Sequence, residues 1–143
     1  MSDGAGRRIL VVDDDEGFRA SIRHVFEAEG WEVTEAPDGS QALALLRSPL
    51  LPDVVVLDLV IPMINGFAVL TELRGSRGLV DLPVVAVSAR KGVLANRLAL
   101  TLGADDCTTK PVDLEALRSR CDALAARHAA RRLRGRPTGM AGT

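Results

Sequence analysis

Five short apolar runs, each followed by a segment of helical periodicity, constrain this chain more than any other feature of its sequence. The first run, Ile9-Leu10-Val11-Val12, is β-branched and stops abruptly at Asp13-Asp14-Asp15. Glu16 to Glu29 then places Phe18, Ile22, Val25 and Phe26 on one helical face, with Gly30 behind it as a C-cap. Trp31 to Ala36 alternates in polarity as a strand does. Asp38 is placed to cap a helix reaching Ser48, with Ala42, Leu43 and Leu46 inward. Val54-Val55-Val56-Leu57 is apolar on both faces, the mark of a central parallel strand, and it ends in Asp58. A loop with Pro62, Asn65 and Gly66 leads to a helix over Phe67 to Arg74. Pro83 to Val87 is a fourth strand ending in Ser88, and Lys91 to Leu102 suits a helix stopped by Gly103. Asp106 to Thr109 is a short fifth strand ending at Lys110-Pro111. Asp113 caps a last helix that presents Leu114, Leu117, Cys121 and Leu124 to one side. Five β-then-α units predict an α/β fold, a doubly wound parallel sheet covered on both faces.

Composition narrows the class further. At 143 residues the chain is one domain's worth. Its hydrophobic fraction of 47% and charged fraction of 26% exclude wholesale disorder. No apolar run is long enough to span a membrane, and none precedes Ile9 that would read as a secretory signal. Cys107 and Cys121 form no metal or disulfide framework, so a cytoplasmic location is expected. From Arg127 to Thr143 there are five arginines and no acid, which leaves the remaining body near −6 against the chain's −1. An acidic body disfavours nucleic acid, and the Arg-rich end reads as a solvated helix end and frayed terminus. The expected organisation is an N-terminal extension over 1–6, one domain over 7–126, and an Arg-rich helix end with a loose tail or linker over 127–143.

The chemistry gathers at the carboxyl ends of the strands, where ligands sit in such sheets. Strand one delivers Asp13 and Asp14, strand three Asp58, strand four Ser88 and strand five Lys110. With the strand order 2-1-3-4-5 the three carboxylates converge. Like charges held close raise one another's pKa unless a cation lies among them, and Mg²⁺ with oxygen ligands is the natural one. No Cys or His is placed for nucleophilic catalysis, and no Gly-rich phosphate loop is present. The set can instead hold a phosphoryl group beside a carboxylate nucleophile. A single strand-end Asp is often no more than a helix cap. Five polar residues on four strand ends of an apolar sheet exceed what capping requires.

At these residues the sequence resembles the response regulator receiver domains of two-component signalling, over about Arg8 to Leu124. The pieces are Ile9-Leu-Val-Val-Asp-Asp-Asp15, Val54-Val-Val-Leu-Asp58, Pro62-Met-Ile-Asn-Gly66, Val87-Ser88-Ala89, Gly103-Ala-Asp-Asp106 and Lys110-Pro111. The resemblance implies a CheY-like, flavodoxin-like (βα)5 fold and a phosphoacceptor signalling domain rather than an enzyme. It implies Asp58 as phosphoacceptor, with Asp13, Asp14, Asp58 and the Val60 backbone carbonyl around Mg²⁺. Lys110 would pair with the phosphoryl group, Ser88 would move to hydrogen-bond it, and Lys110-Pro111 would be cis. Asp15 is left to cap the first helix. Implied partners are a histidine kinase or histidine phosphotransfer protein, a downstream output protein or domain, and a second copy as homodimer.

The chain departs from the family at the switch position, where an aromatic residue usually precedes the lysine by three; here it is Cys107, and the chain has no Tyr. Ile61 replaces a Met before the loop proline, and Val112 stands where Phe is frequent. Packing is the ordinary role for a lone, part-buried Cys107. Three other readings compete. A phosphorylation-independent interaction module would fit the missing aromatic. A small haloacid-dehalogenase-type phosphotransferase would use Asp13-x-Asp15, but it leaves Asp58 unexplained and has no room for a cap domain. A flavodoxin would need a phosphate loop where this chain has three acids.

Overall fold

The computed structural model describes residues 6–89 and 93–135, and the element order alternates strand and helix throughout. The elements are β1 (Arg8–Val12), α1 (Glu16–Glu27), β2 (Glu32–Ala36), α2 (Gly39–Leu46) and β3 (Val54–Asp58). They continue with α3 (Gly66–Arg74), β4 (Val84–Ser88), α4 (Val93–Thr101), β5 (Asp106–Thr109) and α5 (Leu114–Gly135). All strand pairs are parallel, and the order is β2-β1-β3-β4-β5. This is the flavodoxin-like (βα)5 topology in a single domain.

Sequence explains each element locally. β3 and β4 are buried at every position, so their Val-rich, non-alternating composition matches a strand covered on both faces. β2 lies at an edge and alternates in burial. Asp15, Asp38, Asn65 and Asp113 each accept hydrogen bonds from backbone N–H groups in the first turn of a helix. Such caps contribute about 1 kcal/mol each. Several boundaries move by a residue or two from those expected. α1 stops at Glu27 rather than Glu29, because Gly30 (φ 90) and Trp31 fold back onto Glu27 and Phe26. β4 takes in Ser88 and releases Pro83, which has no N–H for the ladder. The expected start of the fourth helix at Lys91 lies outside the described residues. α5 runs on to Gly135, so the Arg-rich stretch is helical that far.

Period-two alternation sorts the sheet into two cores. Ile9, Val11, Val54, Val56, Val85 and Val87 face α1 and α5, where Ile22, Phe26, Trp31, Leu117, Cys121 and Leu124 close over them. Leu10, Val12, Val55, Leu57, Val84 and Ala86 face α2, α3 and α4. Each fully buried Val or Leu stabilises the fold by roughly 1.5–3 kcal/mol. In this register Val12 pairs with Leu57, Asp58 with Val87 and Ser88 with Thr109. The strands therefore end level, and their last polar residues share one rim.

Candidate functional site

The rim holds the acids together. Asp13 directly follows β1 and is fully buried, while Asp14 is exposed. Asp58 ends β3 at 7% exposure. One carboxylate oxygen from each of Asp13, Asp14 and Asp58 lies within 4.8 Å of the others. At that spacing, two carboxylates repel by roughly 3 kcal/mol at an effective dielectric of about 20.

Lys110 answers part of this charge. Its Nζ is 2.9 Å from Asp13 Oδ2 and 3.3 Å from Asp58 Oδ2. The Phe18 ring of α1 lies 4.6 Å from the same ammonium. Burial works against the charged lysine, but Asp13 and Asp58 outweigh it and hold Lys110 above its ordinary range. The Lys110-Pro111 peptide is cis. Burial pushes the Asp58 carboxyl up to about 6, with Asp13 adding to the rise; the Val60 N–H and Lys110 act the other way.

The carboxylate hydrogen bonds are specific. Asp58 Oδ1 accepts the Val60 N–H at 2.8 Å, and Asp13 Oδ1 accepts the Asp15 N–H at 2.8 Å. Asp13 Oδ2 is buried and receives no hydrogen bond of good geometry, only the nearby ammonium. Three carboxylates against the one ammonium of Lys110 fit a divalent cation with oxygen ligands.

The sequence-predicted residues separate into two groups. Asp13, Asp14, Asp58 and Lys110 converge as expected. Val60 sits directly after them with its side chain 71% exposed and its N–H engaged by Asp58. Ser88 stands on the same rim, but its hydroxyl turns to the other face and donates to Asn96 Oδ1 of α4 at 2.9 Å. Cys107, half-buried, packs on that face too, and its thiol donates to the Asn96 backbone oxygen at 3.4 Å. Burial raises the Cys107 thiol above its ordinary range, with Asp106 adding to it.

Arg19 beside the acids and Asn96 on the far side of Ser88 were not singled out from sequence, and Phe18 was read only as a core-facing residue of its helix. Arg19 donates to the Asp13 backbone oxygen at 2.9 Å and ties α1 to the acid turn. A polar signal did exist for Asn96. Asn is a poor helix-interior residue, and a mid-helix Asn between Ala95 and Ala99 calls for a side-chain partner.

Residues 9–122 match the family described as the response regulator receiver domain. The chain belongs to that family. Among curated relatives, this receiver domain is 42% identical over 120 residues to response regulator MprA of Mycobacterium tuberculosis, covering 84% of this chain and 51% of that protein. The same figures hold for MprA of Mycolicibacterium vanbaalenii. The chain thus spans about half the length of the curated relatives it matches. Among solved structures, the receiver domain of a Francisella response regulator superposes with a TM-score of 0.79 at 33% identity, over 85% of this chain and 98% of that one. The receiver domain of a Syntrophus aciditrophicus signal transduction histidine kinase gives 0.77 at 27% identity, over 85% and 91%. Among the described residues, no helix is long and apolar enough to cross a membrane.

Proposed function

We propose that this receiver domain accepts a phosphoryl group on Asp58 and thereby alters the surface it offers a downstream partner. The donor is a histidine kinase or histidine phosphotransfer protein. The observation that carries the reading is the fully buried Asp13 carboxylate, gathered with Asp14 and Asp58 against the Lys110 ammonium. Such a buried acid is costly unless a cation and an anionic guest complete the site.

Each residue has a role in this reading. Asp13, Asp14, Asp58 and the Val60 backbone carbonyl would hold Mg²⁺. When bound, Mg²⁺ supplies positive charge for the oxygens of the incoming group. The Asp58 carboxyl titrates near 6, so at neutral pH it is mostly ionised and nucleophilic. Its oxygen forms the new O–P bond while the donor's P–N bond breaks, and the imidazole leaves with the electron pair. Lys110 moves its charge from the two acids toward the transferred group. The Ser88 hydroxyl donates to a phosphoryl oxygen. Water later hydrolyses the acyl phosphate and returns Asp58 as a carboxylate, so the domain assists both its loading and its clearing. The acyl phosphate carries about −1.5 to −2 of charge where the ionised carboxylate carried one negative charge, enough to bias two conformational populations. In this reading residues 7–126 form the functional unit. It works in the cytoplasm, with an output domain or protein and a second copy as further partners.

The test is incubation with acetyl phosphate and Mg²⁺, followed by intact mass. The wild-type chain is expected to gain one phosphoryl group and lose it over time, and Asp58→Asn to gain none. An equal gain in Asp58→Asn would remove Asp58 as the acceptor.

A further inference from the structure

Helix α4 is thinly held. Only Ala99 among its residues is fully buried, whereas α2 and α3 bury four each. Val93, Leu94, Leu98 and Leu100 are exposed on it. Among the described residues, the side-chain polar contacts that tie this helix to the sheet run through Asn96. The Asn96 side-chain oxygen accepts from Ser88 at the end of β4, and its backbone oxygen accepts from Cys107 on β5.

The Ser88 hydroxyl has one proton to donate. At 3% exposure it cannot turn to bulk water instead. Donating to a phosphoryl group and donating to Asn96 are therefore mutually exclusive. At the neighbouring switch position Cys107 carries no ring that could swing inward.

We propose that Asn96 is the positioning residue that couples phosphorylation of Asp58 to α4. In the unmodified chain it holds the Ser88 hydroxyl and keeps α4 down over Cys107. Phosphorylation draws that hydroxyl away and leaves the Asn96 amide without its donor. α4 then lifts from β5, and the Cys107 thiol becomes accessible. The inference rests on Asp58 being the phosphoacceptor and goes past that reading by naming the residue that senses the change.

The chain carries its own probe. Cys121 is fully buried between α1 and α5, so alkylation by N-ethylmaleimide under native conditions reads Cys107. Alkylation rate and phosphoryl content are to be measured by mass on the full chain, with and without acetyl phosphate and Mg²⁺. Phosphorylated wild type is expected to react about fivefold faster than unmodified, the factor by which losing one neutral hydrogen bond shifts an opening equilibrium. Asn96→Ala is expected to take up phosphate like wild type, yet to react at the fast rate before phosphorylation and no faster after it. Asn96→Asp, which keeps an acceptor for Ser88, should restore the slow rate. Cys121 should stay unlabelled in all variants, which separates release of α4 from general loosening.

Equal rates for phosphorylated and unmodified wild type would overturn the coupling. So would a wild-type response in Asn96→Ala. Unmodified Ser88→Ala tests the tether without any phosphate: fast labelling supports it, and slow labelling removes it. If wild type takes up no phosphoryl group at all, the phosphoacceptor reading and the coupling fall together, and the Ser88→Ala arm still decides the tether.

Discussion

Asp58 is the residue at which charge, burial and chemistry meet. Its carboxyl is raised from 3.8 to about 6, chiefly by burial, so the folded chain holds that proton more tightly than the unfolded one. The stabilisation this group contributes is full below 3.8 and is lost as pH rises through about 6. At neutral pH, without a cation, ionised Asp58 weighs against the fold. Thermal midpoints measured in chelator from acid to neutral pH should therefore fall more steeply for wild type than for Asp58→Asn. Added Mg²⁺ at neutral pH should raise the wild-type midpoint more than the variant's. Matching pH profiles for the two proteins would show that Asp58 carries no such cost. Lys110 belongs to the same balance, since its ammonium is the counter-charge for both Asp13 and Asp58.

Elements carry the site through loops that are locked by glycine and by one arginine. The loop from Leu59 to Asn65 follows β3, and the two glycines packed against it, Gly66 and Gly39, admit no side chain. A Cβ at Gly66 would collide with the Asp58 carbonyl oxygen and the Leu59 Cα, and one at Gly39 with the Ile64 carbonyl. Gly66→Ala should destabilise by about 1–3 kcal/mol, as overpacking does, and should slow phosphoryl uptake because the displaced backbone is that of Asp58 itself. Urea unfolding and acetyl phosphate labelling measure the two effects. Full stability with normal uptake would show that the close approach is unimportant. Arg74 locks the other side. From α3 it donates to the backbone oxygens of Leu79, Val80, Leu82 and Gly103 and to Asp105 of the β5 approach. Asp105 in turn accepts the Val84 N–H that starts β4. A lysine cannot reproduce a planar fork of donors. Arg74→Lys should cost about 2 kcal/mol in denaturant unfolding, since three part-buried acceptors, the Leu79, Leu82 and Gly103 carbonyls, lose their donor.

At the scale of the molecule, the acidic rim lies at the carboxyl ends of the strands, and the basic end of α5 carries the opposite charge. Burial along α5 ends at Ala125; beyond it Arg127 to Leu133 is exposed except for half-buried His128, and Arg131 reaches Asp81 only at 4.0 Å. A fragment of residues 7–126 should therefore keep its thermal midpoint within a few degrees of the 143-residue chain and take up phosphate at a similar rate. Loss of cooperative unfolding in the fragment would place the helix end inside the folding unit. The stretch matched here makes up about half the length of the curated relatives.

Much of this was legible in the residues because the relevant physics is local. Val54 to Leu57 is apolar without alternation, and a strand buried on both faces needs that. The Asp, Ser and Lys that end such runs must lie at strand ends, and parallel winding puts those ends on one rim. Caps such as Asp15 and Asp38 act over three residues and show in the order of amino acids. Tertiary structure alone decided which way each rim residue turns. The pleat sends Asp13, Asp58 and Lys110 toward α1 and sends Ser88 and Cys107 toward α4, so the acids and the ammonium meet while the Ser88 hydroxyl rests on Asn96. The partnership of Ser88 with Asn96 depends on how far α4 approaches the sheet. That distance is set by side-chain packing between remote segments, and no local pattern in the chain encodes it.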